Sequence, residues 1–266
     1  MTLDPVQAAI AVAIGLGAGL IGGLAGVGGS IVMLPALALV FGYSTPEKHE
    51  HHLYMASAMM VNALVALFSA RTHAESGAMD TGLRRVLVPT MVAGIVAGVL
   101  ASGVLGGRVS KYGLVIFLFC SSAWLLVSVL RELPDHSAGG ERRGRGLLGA
   151  IGGGTGFVGG LLGVGGGIVL VPLLQFAARV PLKRAIATSA GVMWVSSSVG
   201  MVVKMATLPA LGLSIVDALV LGAFMGLGAF PAAKAGAALT HRLPVGPLRI
   251  VIAAVLVASA VRMAGG

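Results

Sequence analysis

Charge is the scarcest property of this 266-residue chain. It has nine acids and eighteen bases, and only 10% of its residues are charged while 57% are hydrophobic, with a mean hydropathy of +0.99. A soluble domain carries about 25% charged residues, so there is too little polar material here to clothe a water-facing surface. That excludes a soluble globular enzyme, a disordered chain and a nucleic-acid-binding module. The formal charge of +9 is therefore not a nucleic-acid footprint, because basic residues in a membrane protein report topology first. The single cysteine, Cys120, sits in an apolar run and permits no internal disulfide. The start of the chain carries Asp4 and no basic segment, so no cleaved signal peptide is expected.

Chemistry is lacking as well. No predicted span carries a central Asp or Glu, and Asp217 is the only acid after Glu141. Cation transporters and proton pumps place carboxylates inside the membrane, so their absence favours an anionic or neutral substrate. No nucleophile–base arrangement, phosphate-loop lysine or dinucleotide fingerprint occurs. With no ATP motif, transport would have to be secondary or channel-like. No cofactor is called for.

What the chain has in abundance is apolar runs. A bilayer core needs about 20 apolar residues per helix, and residues 53–70, 86–105, 112–130, 185–203, 218–233 and 243–261 qualify as spans. The lipid bilayer is thus an implied partner. Residues 6–42 and 147–178 are equally apolar but are interrupted by glycine clusters. One glycine costs a helix about 1 kcal/mol relative to alanine, so a cluster reads as a break. The other reading of such clusters, close helix packing through small residues, accounts for the remaining glycines.

The breaks are duplicated. Gly22-Gly23-Leu24-Ala25-Gly26-Val27-Gly28-Gly29-Ser30-Ile31-Val32 recurs as Gly159-Gly160-Leu161-Leu162-Gly163-Val164-Gly165-Gly166-Gly167-Ile168-Val169, and Pro35 and Pro172 keep the offset of 137. Ala56-Ser57-Ala58 matches Thr188-Ser189-Ala190 at an offset of 132, and Leu105 with Arg108 matches Leu239 with Arg242 at 134. The chain reads as two homologous halves, 1–130 and 147–266, joined by the polar linker 131–146. Each half holds one glycine-broken hairpin and three transmembrane helices.

The bases bear on the orientation of the halves. If each hairpin region makes no net crossing, or crosses twice, the halves are inverted and the eighteen bases divide 13 to 5. The minority face then holds Lys48, Arg108, Lys111, Lys204 and Arg262. If each region crosses once, the division is 9 to 9. The positive-inside rule prefers the inverted arrangement, with 131–146 cytoplasmic and Tyr43, Tyr54 and Tyr112 near the outer boundary.

Inverted repeats with broken helices place substrate at the midplane, where irregular backbone is tolerated only along a cavity. The helix beginnings at Gly28, Gly29 and Ser30, and at Gly165, Gly166 and Gly167, offer N–H donors and a positive helix end to an anion. A small polar patch lies one span later, with Ser57 and Asn62 in one half and Thr188, Ser189, Ser196, Ser197 and Ser198 in the other. Of these, Ser57, Thr188 and Ser189 repeat in position and are the candidate hydroxyl donors; interhelical hydrogen bonding is the competing role. Arg184, Lys204 and Lys234 lie near span ends, where snorkelling or topology is the expected role. The run His49-Glu50-His51-His52 lacks metalloprotease spacing and is expected to be a solvated loop, not a metal site.

These motifs resemble the TauE/SafE sulfite exporter family, also described as probable membrane transporter proteins. The resemblance rests on residues 22–35, their repeat 159–172, the stretch Lys183-Arg184-Ala185-Ile186-Ala187-Thr188-Ser189, and the glycine pairs Gly94 with Gly98 and Gly222 with Gly226. It covers nearly the whole chain. It implies an all-α polytopic protein that moves a small sulfur-containing anion, such as sulfite, a sulfonate or sulfoacetate, across the bacterial inner membrane. Two departures bear on the substrate: Leu53-Tyr54-Met55-Ala56-Ser57 matches its partner poorly, and Ser30 stands where the second half has Gly167. An anion channel, a carrier of another organic anion and a non-transporting scaffold remain as alternatives. A homo-oligomer is compatible with the sequence, which does not specify one.

Overall fold

A computed structural model describes residues 4–25, 28–44, 46–75, 79–130, 140–142 and 144–240, with isolated positions from 254 to 261. The expected span 243–261 and most of the linker 131–146 therefore lie outside the described residues. Among the described residues there is no strand. The helices are α1 (Pro5–Ala25), α2 (Ser30–Phe41), α3 (Glu50–Glu75), α4 (Thr81–Leu130), α5 (Arg145–Leu162), α6 (Gly167–Phe176), α7 (Leu182–Thr207) and α8 (Ile215–Thr240), with a 3-10 turn at Pro209–Leu211 before α8. The helical choice follows from the solvent: in hydrocarbon every backbone group must be bonded within its own segment.

Among the described residues, five helices are long and apolar enough to cross a membrane: Pro5–Leu24, Glu50–Glu75, Thr81–Trp124, Leu182–Thr207 and Ile215–Leu239. The shorter Ser30–Phe41 and Gly167–Phe176 are equally apolar. Helix α4 contains both expected spans 86–105 and 112–130 and is interrupted between them at Gly106, where φ is 81° and ψ is 167°. A residue with a side chain would be strained there. The interruption packs on the loop before α3: Arg108 donates its backbone N–H to Glu47 O (3.1 Å) and its guanidinium to Pro46 O (2.9 Å).

Glycines set the closest helix approaches. Gly15, Gly19 and Gly23 of α1 face the backbone of α8, and a Cβ at Gly15 would stand 1.9 Å from Met225 O. Gly152, Gly156 and Gly160 of α5, each 137 positions further on, face α4 in the same way, with Met91 O 2.3 Å from a Cβ at Gly156. Small residues bring backbones this near because no Cβ intervenes. Gly98 faces Phe157 O of α5, and the matching contact in the other half is Gly236 against Leu20 O, whereas Gly226 faces Leu64 of α3.

At the centre, α3 packs on α7, and the two run in opposite directions. His52 in the first turn of α3 meets Lys204 in the last turns of α7 (2.6 Å). Asp80, just after α3, donates its N–H to Thr188 near the start of α7 (3.3 Å).

Candidate functional site

Both glycine breaks are real interruptions, and both fold against the helix before them at equivalent points. A Cβ at Gly22 would lie 2.9 Å from the Gly29 N, and one at Gly159 would lie 2.5 Å from the Gly166 N. Positive φ at Gly28 (82°), Gly165 (69°) and Gly166 (80°) makes the reversal possible. From these breaks the short helices leave for opposite ends of the molecule. Helix α2 ends at Gly42, whose carbonyl accepts from the Tyr54 hydroxyl (2.7 Å) beside the buried start of α3. Helix α6 runs toward Ala178, whose carbonyl accepts from the Arg142 N–H (2.8 Å) near the Glu141–Arg184 ion pair.

Asn62 of α3 joins the two breaks. It is fully buried, and its Oδ1 accepts from the N–H groups of Gly29 (2.8 Å) and Ser30 (3.1 Å). Its Nδ2 donates to Ser30 Oγ and lies 3.0 Å from the place a Cβ would take on Gly165. Met193 of α7 touches both breaks, with its Cε 3.2 Å from a Cβ position on Gly28 and its Cγ 3.7 Å from that on Gly165. Ser197 completes the arrangement: its Oγ is 2.7 Å from the Gly165 Cβ position, is buried, and has no hydrogen-bond partner among the described residues.

The two helix beginnings differ in one respect. The first donors of α2 are filled by the Asn62 carboxamide, a cap supplied from 33 residues away. No described side chain bonds the N–H groups of Gly165, Gly166 or Gly167 at the start of α6, and the capping residue is itself a glycine. A buried hydroxyl without a partner stands beside them. A buried polar group left unsatisfied costs about 1–3 kcal/mol, so the α6 side holds the stronger demand for an acceptor.

The other candidate residues are engaged elsewhere. The single proton of the Ser57 hydroxyl is shared between Leu53 O (3.1 Å) and, across the helices, Ala218 O of α8 (2.9 Å). Thr188 is buried and accepts from Asp80, and Ser189 is buried beside it in sequence. Arg184 is half-exposed, bonded to Glu141 and 3.9 Å from Asp80. Asn62 and Ser197 belonged to the polar patch visible in the sequence. What singles them out, their meeting with both glycine breaks, is a long-range contact with no local signal.

Two expectations at the opposite end need correcting. The His49-Glu50-His51-His52 run is not a solvated loop: His51 and His52 are fully buried in the first turn of α3, because α7 and the loop after α2 close over them. Lys204 does not snorkel. It is fully buried, donating to His52 Nδ1 and to Ser102 Oγ (2.7 Å).

A bundle of membrane-length apolar helices with interrupted helices meeting at its centre is a polytopic membrane protein. The chain belongs to the sulfite exporter TauE/SafE family, whose profile matches residues 11–263, and it is a transmembrane transporter of that family. It is 28% identical over 193 residues to a probable membrane transporter protein of Methanocaldococcus jannaschii, covering 71% of this chain and 69% of that one. It is 26% identical over 218 residues to the probable membrane transporter protein YunE of Bacillus subtilis, covering 74% and 77%. The probable membrane transporter protein MamO of Paramagnetospirillum magneticum is 25% identical over 283 residues, 95% of this chain but 44% of that longer protein. No solved structure matches.

Proposed function

We propose that this protein is a secondary transporter that carries a small sulfur-containing anion, of the sulfite, sulfonate or sulfoacetate class, across the bacterial inner membrane by alternating access. The halves are inverted repeats, and the linker 131–146 faces the cytoplasm. The substrate lies between the two breaks, against the N–H groups of Gly165, Gly166 and Gly167, the Ser197 hydroxyl and the Asn62 Nδ2. Ser30, Gly28 and Gly29 form the opposite wall, already held by Asn62.

One observation carries this reading. In the first half a carboxamide oxygen occupies the donors that open α2; in the second half the equivalent donors and Ser197 face a place where an anionic oxygen would make the same bonds. Helix N-termini favour such charge through their free N–H groups and the helix dipole. The inverted arrangement is supported by the opposed directions of α3 and α7, by the departure of α2 and α6 to opposite ends, and by the 13-to-5 division of bases. The sulfur-containing class comes from the family resemblance.

Flux of labelled sulfite, sulfonates and carboxylates into proteoliposomes, with and without a pH gradient, tests the proposal. Saturable flux that prefers sulfur oxyanions is expected. Conductance that does not saturate would replace the carrier with a channel, and absence of flux would leave a scaffold.

A further inference from the structure

The buried cations at the end of the molecule where α2 stops have no part in the site above. Lys204 of α7 and Lys111, just past the Gly106 interruption of α4, are 0% and 1% exposed, and both lie within helices long enough to cross a membrane. Neither forms an ion pair with a carboxylate among the described residues. Lys204 donates to His52 Nδ1 and Ser102 Oγ. The Nζ of Lys111 has no hydrogen-bond acceptor among the described residues and lies beside the Lys48 ammonium; it stands 5.3 Å from the ring centres of both Tyr43 and Tyr112, and Lys48 lies 4.8 Å and 5.9 Å from the same two rings. His51 sits within electrostatic reach of Lys48, Lys111, Lys204 and His52.

The tautomers deepen the imbalance. An ammonium only donates, so His52 Nδ1 is an acceptor and its ring proton is on Nε2, a buried atom with no partner. His51 uses Nδ1 with the Tyr43 hydroxyl (3.1 Å), and its Nε2 is likewise buried and unpartnered. Glu50 is the carboxylate close by, and its Oε1 accepts from the Ser44 N–H (3.0 Å). Among the described residues, His52 Nε2 and Lys111 Nζ thus lack acceptors and His51 Nε2 is unpartnered, in a setting of three lysines. Ionisable side chains inside a membrane protein are paired or line a solute path, and an unpaired buried charge is costly. A metal ion is the wrong complement, since lysine ammoniums crowd the imidazoles that would bind it.

We infer that Lys111, Lys204 and the Nε2 atoms of His51 and His52 form a second binding site, for a small oxyanion. Its position gives it a role. Ser197 and Lys204 are seven residues apart on α7 and so share one face, about 10 Å apart along the axis. Between them Gly200 packs against Ile95 and Met59, an apolar seal separating the two polar stations. The anion site stands on its own residues; that the same anion visits both stations rests on the function proposed above.

Equilibrium dialysis of labelled sulfite and sulfate against the full chain in nanodiscs tests the site. Lys111→Gln and Lys204→Gln should each weaken one class of bound anion by about tenfold or more, the worth of a charge-assisted hydrogen bond, and Lys204→Arg should retain part of it. Thermal unfolding without anion checks the fold of each variant, and Lys111→Gln, which gives up no hydrogen bond to an acceptor, should not melt earlier. Gly165→Leu should leave this class intact while abolishing flux, so failure of the central site and failure of this one are read separately. Unchanged affinity in both lysine variants, or no saturable oxyanion binding by the parent protein, overturns the inference.

Discussion

Asn62 Oδ1 accepts the Gly29 N–H at 2.8 Å and the Ser30 N–H at 3.1 Å, so one helix break is capped by a side chain from α3 that also faces the other break. Removing that carboxamide orphans two buried donors, at about 1–3 kcal/mol each. Asn62→Ala should therefore lower the melting temperature of the purified protein. Asn62→Asp keeps an acceptor for both donors but sets a negative charge beside Gly165. It should melt near the parent while losing most anion flux, and parental flux in that variant would remove the anion from the space between the breaks.

The strain of a positive φ separates stability from function. Gly42 (φ 66°) and Gly165 (φ 69°) both have a positive φ, yet a Cβ at Gly42 meets nothing within 4 Å, while one at Gly165 meets Ser197 and Asn62. Alanine is strained at both places, and at Gly42 the combination of φ 66° with ψ −160° is one that only glycine adopts readily. Gly42→Ala should transport normally at reduced stability, and Gly165→Ala should lose flux. Equal flux in the two would count against the site.

Bulk at the centre should be worse. Ser30→Leu or Gly166→Leu is expected to abolish transport while the protein still inserts and purifies, as followed by flux and by yield from membranes. Normal flux from both variants would sink the assignment.

Two serines offer an opposite pair of effects. Ser57 bridges α3 to the Ala218 carbonyl, so Ser57→Ala should cost about 1 kcal/mol of stability and leave substrate affinity unchanged. Ser197 has no bond to lose. Ser197→Ala should keep or raise the melting temperature and raise the KM for the anion, as measured by concentration-dependent flux.

Topology is testable through the exposed Cys120. In a Cys120→Ser background, Ala138→Cys should react with a membrane-impermeant maleimide in inside-out vesicles and not in intact cells. The reverse pattern would invert the orientation drawn from the bases.

Much of the architecture was legible because bilayers make local demands. Apolar runs must be helical, so the helices around residues 53–70, 86–105 and 185–203 follow from composition alone. Glycine clusters interrupt such runs, and the duplication at offset 137 marks Gly28 and Gly165 as related. Hydrogen-bond accounting across helices is not a local property. That Asn62 fills one break and leaves the other open, or that Ser57 turns to Ala218, depends on which helices become neighbours.

The sequence by itself determined the solvent, the helical class, the repeat and the two break points, all consequences of hydropathy and of what glycine does to a helix in lipid. Only the tertiary structure decided that Gly28 and Gly165 meet around Asn62, Met193 and Ser197, and that Lys111, Lys204 and two histidines are buried together. Those outcomes come from packing α3 against α7 in opposite directions, which brings residues more than 100 positions apart into contact and gathers charges that read as topology markers into one buried cluster.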